Sequence, residues 1–365
     1  MVPTPANEIC DLRAIEGRVN AVLNDPLGAA AAGGALGNVG LDIPPDLLLA
    51  GGAVSCHLPL RLPRDTARTG LWLESSFPLW THSVLESWWD GEFDCFDHVI
   101  FSRGDDATHR LYYYICELQR QGRIGGPEAL VFDVARIARE SSRRHTANAL
   151  RSLMHHLGIE GTALQEGVRQ ANERRQLFAF IHAQRRGPGS FYERVVRASL
   201  YADPCALLQG WQPQLLDRSS AGVVLAGSSP PDERIHLAIE RAGWTVREEL
   251  YDRGLRRLGA QVDAAAPDLP RSVAERWLEH QFTSRDSSDP AIELLDTVRR
   301  TGAVAAILWC SREDEALAWR VAGQRAALQQ AGIPALVLVA RSWSFDDGAA
   351  EEIDSFLGGL PHEAA

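Results

Sequence analysis

The stretch Asp97–Leu118, DHVIFSRGDDATHRLYYYICEL, changes character in its middle, and that change limits what the surrounding chain can be. His98 to Phe101 is a short apolar run of the kind that suits a buried strand. Ser102-Arg103-Gly104-Asp105-Asp106 is polar and charged, and a helical spacing of Leu111, Tyr114, Ile115 and Leu118 follows at once. The reading is strand, tight loop, helix. In an open parallel sheet, ligands bind at the loops that leave the carboxyl ends of strands, so Arg103 to His109 is where chemistry is expected. The same order recurs near the other end: Val304 to Trp309 as strand, Cys310-Ser311-Arg312 as loop, Glu313 to Ala331 as helix. Two such loops in two halves can face each other across one cleft.

The rest of the chain arranges itself around these units. Residues 1–39 read as a helical arm (Ile9 to Leu23) and a mobile Ala/Gly-rich connector, Gly28 to Gly40. Pro44-Pro45 can start a short helix that Gly51-Gly52 ends. Gly70 to Glu74 (GLWLE) is the next strand candidate, with Ser75-Ser76-Phe77-Pro78 as its loop and Leu79 to Trp89 as an aromatic-rich helix. Ala129 to Val134 is a further strand and Ile137 to Leu157 a long amphipathic helix. Residues 40–160 therefore read β-α-β-α-β-α, which implies a parallel sheet covered by helices.

Residues 161–220 show helical periodicity alone and read as a helical segment. A second unit, 221–365, has Gly222 to Ala226 as strand, Gly227-Ser228-Ser229-Pro230-Pro231 as loop and Asp232 to Ala242 as helix. Trp244 to Leu250 is its next strand; helices at Pro270 to Phe282 and Pro290 to Thr301 lead to Val304, and Ile333 to Val339 is the last strand. Glu351 to Leu357 closes the unit as helix. The fold class expected is α/β: two parallel-sheet units, Rossmann-like or flavodoxin-like, with a helical segment between them.

A formal charge of -11 argues against a nucleic-acid partner, since such proteins present a basic surface to phosphates. Local arginines, as in Arg136 to Arg151, leave a small anionic ligand open. No apolar run approaches the roughly 20 residues that span a bilayer, and the first residues have neither a basic start nor an apolar signal core. The expectation is a cytoplasmic protein with no membrane partner. Six cysteines are scattered without CxxC spacing and read as small buried hydrophobes, apart from Cys310, which sits at a strand end.

Asp105, Asp106 and His109 are the densest ionisable group at a strand end and are the candidate catalytic residues, as a general base or a metal site. The competing role is capping: one aspartate can cap the helix that follows, worth about 1 kcal/mol. Glu74, Ser75, Ser76, Arg103 and Gly104 are candidate lining of a substrate pocket, with capping again the alternative for the serines. Gly227, Ser228 and Ser311 are candidate substrate contacts, because amides at a helix start can hold a phosphate. The plain alternative is a strand-to-helix turn, since the fuller dinucleotide glycine fingerprint is missing. Trp72, Trp80, Trp88 and Trp89 read as core or subunit interface. No paired His and acid marks a serine-hydrolase triad.

The ordered set IPPDLLLAGG, the helix around Ser83-Val84-Leu85-Glu86, DHVIFSRGDD, VVLAGS, ILWCSREDE and GIPALVLV resembles the large subunits of the 2-hydroxyacyl-CoA dehydratase and benzoyl-CoA reductase family. The resemblance runs from about Ile43 onward. It implies α/β domains, an acyl-CoA substrate and a [4Fe-4S] cluster held by three cysteines, one from each of three loops. Carried onto this chain, those positions fall at about Pro78, at Gly104 or Asp105, and at Cys310. A cluster needs thiolates, so Cys310 is a doubtful metal ligand and no cofactor is expected in this chain. A cluster-bearing sister subunit is the expected partner, with this chain supporting it in dehydration or reduction. Two other readings stand beside that one: a catalytic chain with a non-cluster cofactor, and a stand-alone small-ligand module in the same cleft.

Overall fold

The structure is a computed structural model that describes residues 12–31, 36–52, 55–61, 65–135, 137, 139–185, 187–211, 221–279 and 289–361. It is an α/β protein with two four-stranded sheets, all of whose strand pairs are parallel. The first sheet holds β1 (Leu36–Val39), β2 (Ser55–His57), β3 (His98–Ser102) and β4 (Glu128–Phe132) in the order β2-β1-β3-β4. The second holds β5 (Gly222–Gly227), β6 (Thr245–Leu250), β7 (Ala305–Ser311) and β8 (Ala335–Arg341) in the order β6-β5-β7-β8. Counted within its own half, each sheet runs second, first, third, fourth strand.

The central strands are apolar along their length because helices cover both of their faces. β7 is buried at every position. Ile307 and Trp309 pack with Ile235, Ile239, Ile353 and Leu357, from helices Arg234–Arg241 and Ala349–Gly358. The alternate residues Ala306, Leu308 and Cys310 pack with Leu294, Val298, Val321 and Leu328, from helices Pro290–Thr301 and Glu315–Gln330. A period of two residues thus feeds two cores.

In the first half the structure corrects the strand assignment. GLWLE is not a strand: Thr69–Leu71 is a single 3-10 turn, and Gly70, Trp72 and Leu73 donate their N–H groups to Thr66 and Thr69 carbonyls at 2.8 to 2.9 Å. The segment lies on helix Leu79–Trp89, with Thr69 N–H donating to Glu86 Oε1 at 2.9 Å and Trp72 against Trp89. The missing strands are β1 and β2. β1 falls inside the run read as a connector, and its sequence, LGNV, carries little strand signal. A Cβ on Gly37 would lie 2.8 Å from Val99 Cγ2, so glycine lets β1 sit close beside β3.

The other boundaries move less. Pro45–Ala50 is helical, with Pro44 before it and Gly51 after it. The helical segment is Gly161–Ala183, Gly189–Ala198 and Pro204–Leu207. Cys310 and Ser311, read as loop, are the last two residues of β7, because the pairing with β8 runs on to Ser311 opposite Arg341. The expected helix Ile9 to Leu23 is observed as Leu12–Asn24, with residues 9–11 outside the described residues. No helix among the described residues is long and apolar enough to cross a membrane.

Candidate functional site

In each sheet the strand order reverses direction beside the first strand of that half, between β1 and β3 and between β5 and β7. Such reversals leave a crevice outside the carboxyl ends of the strands, where ligands bind in open α/β sheets. A cleft of about 290 Å³ opens there, lined by Pro78, Trp80 and Asp105 of the first half and by the loops after β5, β6 and β7 of the second.

The loops of the second half are tied to one another. Gly227 has φ of 116°, and a Cβ there would lie 2.1 Å from Trp309 O, so only glycine lets β5 turn this tightly into its loop. Ser228 N–H donates to Trp309 O at 2.8 Å. Ser228 Oγ donates to Asp314 Oδ2 at 3.0 Å and accepts Ser311 N–H at 3.1 Å. Ser229 Oγ donates to Asp252 Oδ1, just past β6, and accepts Arg253 N–H at 3.0 Å. Two serines therefore fix the loops after three strands.

The cleft is acidic. Asp105, Asp252, Glu293, Glu313 and Asp314 line it together with Arg320. Burial raises the Asp314 carboxyl above the ordinary range; Ser228's hydrogen bond works against this, and the charges of Asp252 and Asp105 add to it. Burial pushes the Cys310 thiol up to about 12, with Asp314 adding to the shift. At neutral pH the sulfur is a protonated thiol and not a nucleophile. Trp80, Tyr251 and Trp343 supply aromatic surface to the same walls.

Of the residues singled out from the sequence, Asp105, Gly227, Ser228, Cys310 and Ser311 meet at this cleft. Asp105 also caps the helix Asp106–Arg120, accepting Thr108 N–H at 2.7 Å and Thr108 Oγ1 at 2.6 Å. Asp106 points to solvent, 3.7 Å from Arg110, and His109 meets Tyr113 edge to face. Glu74 holds Arg110 at 2.7 Å and Tyr114 OH at 3.0 Å, while Ser75 and Ser76 are exposed beside it. Arg103 pairs with Asp133 at 2.8 Å, and Gly104 packs on Asp42. These last seven do not line the cleft.

Asp252, Glu313 and Asp314 were not singled out, although each follows a strand's carboxyl end by a few residues. The strand-end rule that pointed to Asp105 would have found them. The same rule reaches Trp343, two residues past the end of β8.

The donors present do not suit an iron-sulfur cluster. Of the three loop positions, Pro78 has no side-chain donor, neither Gly104 nor Asp105 offers sulfur, and Cys310 alone is a cysteine. No family model matches this chain, and no curated protein matches it significantly.

Proposed function

We propose that this chain is a relative of the 2-hydroxyacyl-CoA dehydratase and benzoyl-CoA reductase subunits that holds no cluster of its own and supports a cluster-bearing sister chain. The observation that supports this is the convergence of Pro78, Asp105 and Cys310 on one cleft. The resemblance assigns the three cluster thiolates to about Pro78, to Gly104 or Asp105, and to Cys310; of these only Cys310 is a cysteine, and Gly104 does not line the cleft. A chain that keeps the cleft without the ligands acts by binding and organising rather than by electron transfer. The carboxylates also limit how an acyl-CoA lies. Its phosphates are repelled by Asp105, Asp252, Glu313 and Asp314, so the uncharged acyl end enters while the nucleotide stays outside.

Iron and acid-labile sulfide in the anaerobically purified protein test this reading. The expected result is no stoichiometric iron, together with co-purification from the native source of a sister chain carrying all three cysteines. About four irons per chain, lost in Cys310→Ser, would return the protein to the conventional redox family.

The acidic, aromatic lining favours a second reading, a stand-alone module for a neutral or cationic small molecule. Trp80 and Trp343, two of the ten tryptophans, place part of the tryptophan fluorescence at the cleft, the part that Trp80→Phe and Trp343→Phe remove. Quenching by acetyl-CoA supports the subunit reading, and quenching by choline without any response to acetyl-CoA supports the module.

A further inference from the structure

A separate group of ligating side chains lies at the amino ends of β3 and β4, the far end of the first sheet from the cleft. His98 opens β3, Glu128 opens β4, and the two are register partners on neighbouring parallel strands. Partners of this kind project from the same face of a sheet. His156 is the last residue of helix Glu140–His156, which packs against β4. Three elements distant in sequence thus deliver two imidazoles and a carboxylate to one spot.

The geometry of that spot is close. His98 Nδ1 lies 3.2 Å and His156 Nε2 3.1 Å from the same oxygen, Glu128 Oε2. All three candidate ligand atoms lie within 4.8 Å of one another. Ligands bound to one tetrahedral ion at about 2.0 to 2.1 Å stand roughly 3.3 Å apart, close to the two separations seen here. His98 Nδ1 is itself buried and, despite its 3.2 Å approach to the carboxylate, is not aligned with any hydrogen-bond partner among the described residues. A ring nitrogen aimed at a shared ion points off the line to the neighbouring oxygen in just this way.

We infer that His98, Glu128 and His156 form a binding site for one divalent transition ion of the zinc type. Two imidazoles and a carboxylate are the donors such ions take; magnesium and calcium prefer all-oxygen shells, and copper(I) prefers sulfur. His156 and Glu128 are about half exposed at 47% and 52%, so an ion can enter from solvent and water can complete its shell. The ion would tie the last turn of helix Glu140–His156 to the start of two strands.

The alternative is a carboxylate that merely accepts a hydrogen bond from His156 beside the His98 ring, and metal titration separates the two. Full-length protein stripped with EDTA is titrated with zinc chloride by calorimetry, and its thermal midpoint is followed with and without zinc. The expected result is one zinc per chain and a raised midpoint. His156→Ala and Glu128→Gln should each weaken binding at least tenfold and abolish the zinc-dependent rise, while His155→Ala on the same helical turn keeps both. Magnesium chloride should give no saturable heat. Both substituted side chains are half exposed, and circular dichroism without metal confirms that each variant is folded; if one is not, the other decides. No saturable zinc uptake by the wild type, or uptake that the folded variants retain, overturns the site.

Discussion

Ser228 Oγ donates a hydrogen bond to Asp314 Oδ2 at 3.0 Å while the same oxygen accepts the Ser311 amide at 3.1 Å. One buried hydroxyl therefore joins the loop after β5 to the end of β7 and to the Asp314 carboxylate three residues beyond it. Ser228→Ala removes a donor from a partly buried carboxylate and an acceptor from a buried amide. The loss expected is about 1 to 3 kcal/mol of unfolding free energy, measured by urea titration. Ser228→Thr keeps the hydroxyl and should lose less.

Asp314→Asn should stabilise the protein at neutral pH. The folded carboxyl titrates above its ordinary value of 3.8 because it is buried and faces Asp252 and Asp105. Between those two values the folded chain holds the proton that the unfolded chain has released, so stability falls as pH rises through that window. The amide carries no charge and can still accept from Ser228. Thermal midpoints should favour Asp314→Asn at pH 7 and converge with the wild type below the carboxylate range. A variant less stable at pH 7 would mean that the charge is compensated.

Acid should act on β6 with the opposite sign. Glu248 and Glu249 are both buried, which would raise them, yet both are held at about 2: Glu248 by His182 and Arg300, Glu249 by Arg185 and His236. Their ordinary value is 4.5, so the unfolded chain binds protons first and stability is lost as pH falls from 4.5 through 2. Glu249→Gln leaves Arg185, 7% exposed, without its counter-charge, and should cost about 3 to 5 kcal/mol at pH 7. The same variant should show a shallower acid limb in a pH series of melts.

Helix Pro45–Ala50 and helix Gly161–Ala183, packed on each other, are tied by an ion pair that the sequence does not advertise. Arg175 grips Asp46 through two hydrogen bonds of 2.8 and 2.6 Å, with both side chains 2% exposed or less. Arg175→Met strands the carboxylate and should cost about 3 to 5 kcal/mol, whereas Arg175→Met combined with Asp46→Leu should recover much of it. Chemical denaturation of the two variants reads the difference.

What could be read from the sequence follows from burial. β3, β5 and β7 are covered on both faces, so their apolar runs are plain, and with them come the α/β class, the strand-end loops that hold Asp105 and Ser228, and Cys310 near the carboxyl end of β7. β1 was hidden because it is four residues of LGNV in an Ala/Gly-rich run, a strand made by its neighbours rather than by its own propensity. GLWLE misled for the opposite reason: Leu71 is 81% exposed and Trp72 packs on a helix, so apolar composition there does not mean sheet. The His98, Glu128 and His156 group could not be read at all, since its members are brought together only by the β3–β4 register and the length of one helix.

Cys310 is where the catalytic alternative meets its sharpest test. A nucleophilic cysteine needs an accessible thiolate, and burial holds this thiol up at about 12 with Asp314 adding to the shift. Cys95 is exposed and only partly desolvated, so it is the internal reference. Iodoacetamide at pH 8 followed by peptide mass spectrometry should mark Cys95 in the native protein and reach Cys310 only after denaturation by urea. The order of labelling matters more than the rates. If Cys310 is alkylated before Cys95 in folded protein, its thiolate is populated and a covalent role in the cleft returns to contention. If it stays silent, Cys310 is core packing between Val224, Ala226 and Leu308, and the chemistry of the cleft rests on its carboxylates.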